Sequence, residues 1–221
     1  MTNLTIMRAK IADEITRSDM TSRITTAIQD AIKLWEGERF AFNERRYRIN
    51  TVASQEYYDF IAPTLLTSAG AAVPTGEMVL EIDSITSTVN NAPYPLTPRT
   101  QQWFDTYQSL PTQYCGRPDS YAIYGNQLRL FPVPDAVYQI NISALARLGP
   151  SPATADADTN DWFTEGEMLI REQAKVLIFR FPLKDPDGAS LSQSAADNAY
   201  ISLKRKMSAK VAVGLMGSWE G

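Results

Sequence analysis

The hydrophobic period changes twice along this chain, from helical to two-residue and back, and that change restricts the fold more than any single motif does. Ile24, Ala27, Ile28, Ala31, Ile32 and Trp35 recur at i, i+3, i+4, i+7, i+8 and i+11, the stripe of an amphipathic helix. From about Tyr47 to Arg147 apolar residues alternate instead: Met78, Leu80 and Ile82 against Val79, Glu81 and Asp83 predict a strand with one wetter face. Helical spacing resumes at Trp162, with Leu169, Ile170, Ala174, Leu177 and Phe181. It returns from about Ser190, with Ala196, Tyr200, Leu203, Met207 and Val211. A chain patterned this way is expected to be α+β, with N- and C-terminal helices forming a helical bundle and a mostly antiparallel β-rich insertion between them. The pattern implies a helical domain of 1–46 and 160–212, a β-rich domain of 47–148, a Pro-containing linker at 149–159 and an extended C-terminal tail at 208–221.

Local signals sharpen this outline. Leu4 to Thr16 reads as a short helix broken at Arg17-Ser18-Asp19, with Thr21 as N-cap of the next. Tyr121 to Leu130 reads as a hairpin whose two-residue Gly125-Asn126 turn sets Ile123 opposite Leu128 and Tyr121 opposite Leu130. Tyr138, Ile140, Ile142 and Ala144 line one face of a further strand, and a short helix is expected around Arg99 to Tyr107. Pro182 and the turn residues Asp185-Pro186-Asp187-Gly188 stop the helix that begins near Trp162.

Composition then removes function classes. With no histidine among 221 residues, Ser-His-Asp and Cys-His catalysis and any imidazole metal site are excluded. One cysteine, Cys115, supplies neither an internal disulfide nor a thiolate zinc cluster, fits a reducing cytosol and reads as a small buried hydrophobe. No window approaches a membrane span and the N-terminal residues lack a signal peptide's apolar core, so a soluble cytosolic product is expected. A net charge of −4 argues against a general nucleic-acid footprint.

Three segments invite a chemical reading. Asp156, Asp158, Asn160 and Glu167 fall on positions one, three, five and twelve of an EF-hand loop. Position six is Asp161 instead of glycine, however, and capping of the Trp162 helix by Asn160 or Asp161 is the better reading, so no metal or other cofactor is expected. Arg45, Arg46 and Arg48 around Tyr47 have Glu36, Glu38 and Glu44 close by, the pattern of a salt-bridged, solvated helix end. Lys204-Arg205-Lys206 suits the C-terminal end of a helix, where cations meet the dipole. No glycine-rich phosphate loop or carboxylate motif is present, so no enzyme is indicated. The two rival functions are a metal-dependent hydrolase resting on the EF-like segment and a nucleic-acid-binding module resting on the basic runs.

The last residues keep Val211, Val213, Leu215, Met216 and Trp219 among glycines. Apolar residues at a chain end seek a surface, either on their own domain or on a partner or neighbouring subunit, with Trp219 as the natural anchor. The candidate contact residues are Val213, Leu215, Met216 and Trp219, with Lys204, Arg205 and Lys206 beside them.

The order of several short segments resembles the head-to-tail adaptor (connector) proteins of tailed bacteriophages. These are Ile11-Ala12-Asp13-Glu14-Ile15, Arg17-Ser18-Asp19-Met20-Thr21, Ala27-Ile28-Gln29-Asp30-Ala31-Ile32 and Phe40-Ala41-Phe42-Asn43-Glu44. Further along come Thr51-Val52-Ala53-Ser54-Gln55-Glu56-Tyr57-Tyr58, Gly116-Arg117-Pro118 with Tyr121, Leu130-Phe131-Pro132-Val133-Pro134-Asp135 with Tyr138, and Asn160-Asp161-Trp162. The chain departs from the family at Ser54, where the family's turn leads one to expect glycine. The resemblance implies a non-enzymatic virion protein of the head-tail neck, made in the bacterial host cytoplasm. It implies a homo-oligomeric ring, typically a dodecamer, binding the portal above and tail or nozzle proteins below. DNA then passes through the lumen without specific binding, no membrane is involved, and the C-terminal segment reaches the portal.

Overall fold

The computed structural model describes residues 2–61, 64–89, 92–108, 114–149 and 155–216, with side chains of the last helix described as far as Ser208. In chain order the elements are α1 (Leu4–Glu14), α2 (Thr21–Trp35), β1 (Glu44–Asn50), β2 (Tyr57–Asp59), β3 (Leu66–Thr67), β4 (Met78–Val89), β5 (Ala92–Pro95) and β6 (Thr97–Pro98). They continue with α3 (Gln101–Gln108), β7 (Ser120–Tyr124), β8 (Gln127–Phe131), β9 (Gln139–Arg147), α4 (Asp161–Thr164), α5 (Glu167–Ile178), a π-helical turn over Phe179–Leu183, and α6 (Pro186–Met216). The fold is α+β. It forms two compact units, one made of Met1–Asn43 with Arg147–Gly221 and the other of Glu44–Ala146. Most of the expected linker, 150–154, lies outside the described residues.

In the helical unit, the stripe read from the sequence is the buried face of α2: Ile24, Ala27, Ile28, Ala31 and Ile32. Each fully buried Ile contributes roughly 1.5–3 kcal/mol. α1 buries Leu4, Met7 and Ile11, starts on the Asn3 side chain, which accepts from Ile6 N, and is followed by Thr16 at φ +52°. Thr21 is the first helical residue of α2 and not its cap: Met20 holds that position without a side-chain hydrogen bond, and its own burial fixes where the helix begins. α5 is the central helix, packed against both α2 and α6. Its apolar face stops short of the sequence expectation. Pro182 sits in the π-helical turn and Phe181 is 70% exposed. Asp185-Pro186-Asp187-Gly188 does not form a free turn. The Asp185 carboxylate accepts from the backbone N–H groups of Asp187 and Gly188, and Pro186 is the first residue of α6, where its missing N–H costs nothing. The expected extended conformation of the tail is also corrected over its first part, because α6 continues as helix through Gly214 to Met216.

The β unit holds two sheets, ordered β3-β1-β9-β4-β5 and β2-β8-β7-β6. β6 pairs with β7 in parallel, whereas β1–β3, β1–β9, β2–β8, β4–β5 and β7–β8 are antiparallel. The hairpin has the expected register, Ile123 opposite Leu128 and Tyr121 opposite Leu130. Gly125 supplies φ +61° while Asn126 stays at negative φ, the signature of a II′ turn. Ile140, Ile142 and Ala144 of β9 are buried, as the alternation requires, and α3 lies where a short helix was expected. On β4 the buried residues are Val79, Ile85 and Ser87; Ile82 packs against the core while Glu81 and Asp83 are exposed, and Leu80 is 37% exposed.

Candidate assembly surfaces

The charges that looked available in the sequence are mostly spent inside the helical unit. Backbone carbonyls of the EF-like segment cap the start of α1: Asp158 O accepts from Leu4 N at 3.0 Å, and Asp156 O accepts from the Thr5 hydroxyl at 3.0 Å. Its side chains diverge. Asp156 pairs with Arg8, Asp158 accepts from Ala155 N, Asn160 caps α4 through Trp162 N, and Glu167 accepts from Lys10 Nζ and the Thr2 hydroxyl. Among the described residues no group of three or more His, Cys, Asp or Glu is arranged to hold a metal.

Sequence reasoning missed the cluster that joins α1 to α5. Lys175 Nζ lies 2.7 Å from Glu14 and 2.8 Å from Glu172, and Arg171 lies beside Glu14, Glu167 and Glu172. Burial disfavours the Lys175 ammonium, but hydrogen bonds to Glu14 and Glu172 outweigh it and leave its pKa above the ordinary 10.5. At Glu167 burial works against the carboxylate, and the bonds from Lys10 and Thr2 overcome it, so its pKa falls below 4.5. The i to i+3 spacing of Glu172 and Lys175 is visible in the sequence; their meeting with Glu14 is not.

The run Lys204-Arg205-Lys206 is divided by the helix. Lys204 donates to Arg39 O at 2.8 Å, pairs with Glu38, and stands 4.7 Å above the Phe40 ring and 5.5 Å from that of Tyr200. Tyr200 in turn stacks on Trp35 at 5.0 Å, and Phe40 and Phe42 meet Trp162 edge to face. Lys206 pairs with Glu165 at 2.6 Å. Arg205 is exposed. Among the other candidate contact residues, Val213, Leu215 and Met216 lie on the helical backbone of α6, their side chains outside those described, and Trp219 lies outside the described residues.

The basic cluster at 45–48 belongs to a strand and not to a helix end. On β1 the two-residue period sends Tyr47 and Ile49 into the core, while Arg46 and Arg48 share the opposite face. Tyr47 donates to Glu77 Oε1 at 2.6 Å; burial first, and this bond second, hold its phenol far above the ordinary 10.0. Arg48 lies over Gly70, where an added Cβ would come within 1.9 Å of Nη2. In the second sheet Arg129 is fully buried, donating to Glu56 at 2.5 Å and Asp105 at 2.7 Å between the rings of Tyr57 and Phe104. Cys115 is exposed, contrary to expectation, because it meets the fold through an isolated bridge to Val133 instead of lying within a paired strand.

Large apolar side chains also stand exposed. Leu34, Phe181 and Leu191 in the helical unit are 60%, 70% and 76% exposed, and Tyr124 and Val137 in the β unit 70% and 72%. A groove of about 330 Å³ lies between α2 and the end of α5, its apolar lining of Ala27, Leu177 and Phe181 bordered by Arg23 and Asp30. Another of about 500 Å³ lies between the start of α5 and α6, where Met168, Leu169 and Leu203 are bordered by Glu165 and Lys206. Isolated exposed apolar residues are ordinary; exposed aromatics beside shallow grooves are the kind of surface that contacts other proteins. Among the described residues no helix is long and apolar enough to cross a membrane.

No curated protein matches this chain. The family model for the SU10 adaptor protein matches residues 1–214, which takes in both compact units and α6 almost to its described end. The chain therefore belongs to the SU10 adaptor protein family, and is a structural adaptor protein of a phage virion.

Proposed function

We propose that the protein forms a closed ring, typically twelve-fold, beneath the portal of the phage head and offers its opposite side to the tail or nozzle proteins. The observation that carries this reading is the family match over residues 1–214. Each subunit presents one heterologous interface that closes into a ring, and DNA passes through the lumen without specific binding, which the net charge of −4 favours. Synthesis is in the host cytoplasm, with the protein then built into the head-tail neck. It works by assembly and not by turnover.

The portal contact falls to Val213, Leu215, Met216 and Trp219, with Arg205 as the cation that α6 leaves outward. Lys204 and Lys206 hold α6 to its own unit instead. Deleting residues 208–221, or replacing Trp219→Ala, is expected to leave the fold intact and to weaken attachment to the portal. Undiminished co-sedimentation of the truncated protein with portal contradicts the assignment.

A further inference from the structure

We propose that, before any ring forms, two copies of this protein pair through the outward face of α6, antiparallel and centred on Ile201. The inward face of α6 buries Ala189, Ser192, Ala196, Leu203 and Met207. Opposite it, Leu191, Ser194, Asn198, Ile201, Arg205 and Ser208 are all exposed and follow one another at alternating steps of three and four, the seam spacing of two paired helices. Two apolar side chains mark this face, Leu191 at 76% and Ile201 at 47% exposed. Serines at 194 and 208 let a second helix come close.

Charge selects the occupant. Lys204 and Lys206 are neutralised by Glu38 and Glu165, but among the described residues no carboxylate pairs with Arg205 and no cation pairs with Asp197. Asp197 accepts from Gln193 Nε2, one turn earlier on its own helix. Asp197 and Arg205 stand four residues before and four after Ile201, so each lies about 6 Å along the axis and about 40° around it from that residue. Reversing a second α6 about Ile201 brings each Asp197 level with the other copy's Arg205, twice over. A parallel, in-register pair would set Asp197 against Asp197 and Arg205 against Arg205. This face is thus complementary to itself in one orientation, which specifies a second copy as its partner.

Such a contact is isologous and closes on itself, whereas a ring needs a heterologous one. The pair is therefore a holding state that opens before ring closure; this consequence rests on the ring reading, while the pairing itself does not. The experiment uses the full chain alone. Sedimentation equilibrium is expected to show a monomer–dimer equilibrium, weakened about ten-fold by Arg205→Asp and restored by the double exchange Asp197→Arg with Arg205→Asp. In a Cys115→Ser background, Ile201→Cys is expected to oxidise to a covalent dimer, because the two-fold axis sets that position against itself. Unchanged far-UV circular dichroism establishes that these surface variants fold. A protein that stays monomeric at every concentration overturns the proposal. So does a dimer indifferent to the charge exchange, or one that Ile201→Cys fails to trap. Portal binding does not enter any of these readouts, so their failure leaves the proposed function standing.

Discussion

At the scale of the residue, Ser54 shows how a departure from the family pattern is absorbed. The position keeps the backbone a glycine would adopt, φ +65°, with Ser54 N donating to Pro134 O at 2.8 Å and the Tyr58 hydroxyl fastening Val52 and Gln55. A non-glycine residue there is strained by about 1–2 kcal/mol, partly offset by glycine's greater entropy when unfolded. Ser54→Gly is expected to raise stability by about 0.5–1 kcal/mol and Ser54→Val to lower it by about 1–2 kcal/mol, read from denaturant midpoints. Equal destabilisation by both would contradict the strain argument. Tyr47 makes a second residue-scale prediction. Its phenol titrates higher in the folded state than the unfolded value of 10.0, so its contribution is complete below that pH and lost progressively as pH rises above it. Lys175 acts in the same sense above 10.5, and Glu167 in the opposite one, losing its contribution as pH falls below 4.5. Tyr47→Phe is expected to flatten the alkaline decline of the β unit while costing about 1–3 kcal/mol at neutral pH, since Glu77 is left buried without its donor. A variant with the parent's alkaline profile would remove Tyr47 as its source.

At the scale of the element, what the sequence reveals depends on how far apart the partners are. The β7–β8 hairpin was legible because its register follows from a two-residue turn and the alternation beside it. The buried stripe of α2 was legible for the same local reason. Arg129 was not, since its carboxylates lie 73 and 24 residues away. The start of α6 is ambiguous in the sequence because Asp, Pro and Gly signal a turn and a helix N-terminus equally well, and the Asp185 hydrogen bonds decide between them. The arginines of β1 read as a helix end in the sequence because neighbouring glutamates suit either element. Arg129 also ties α3 to the sheet, its guanidinium shared between Glu56 of the sheet edge and Asp105 of α3. Arg129→Leu is expected to cost about 3–5 kcal/mol by breaking the buried guanidinium's ion pairs with Glu56 and Asp105, and to release α3. Trp103 on α3 should then lose its near-UV signal while helical circular dichroism from the other unit persists. Loss of both signals together would mean that Arg129 supports more than its own unit.

At the scale of the whole molecule, part of the charge fastens helices: Lys204 and Lys206 hold α6 to its own unit, whereas Arg205 between them stays exposed. Lys10, Lys175, Lys204 and Lys206 each hold a carboxylate of the helical unit, and the EF-like segment closes the start of α1. The proposed contact residues Val213, Leu215, Met216 and Trp219 are legible in the sequence only as an apolar pattern. We propose that this adaptor acts by joining a portal as a closed ring. Size-exclusion chromatography with mass determination, on the protein alone and then mixed with its portal, is the decisive experiment. A small species is expected alone and, with portal, a single complex carrying a fixed ring complement of adaptor. A portal that elutes at its own mass, with no adaptor attached, overturns the ring reading.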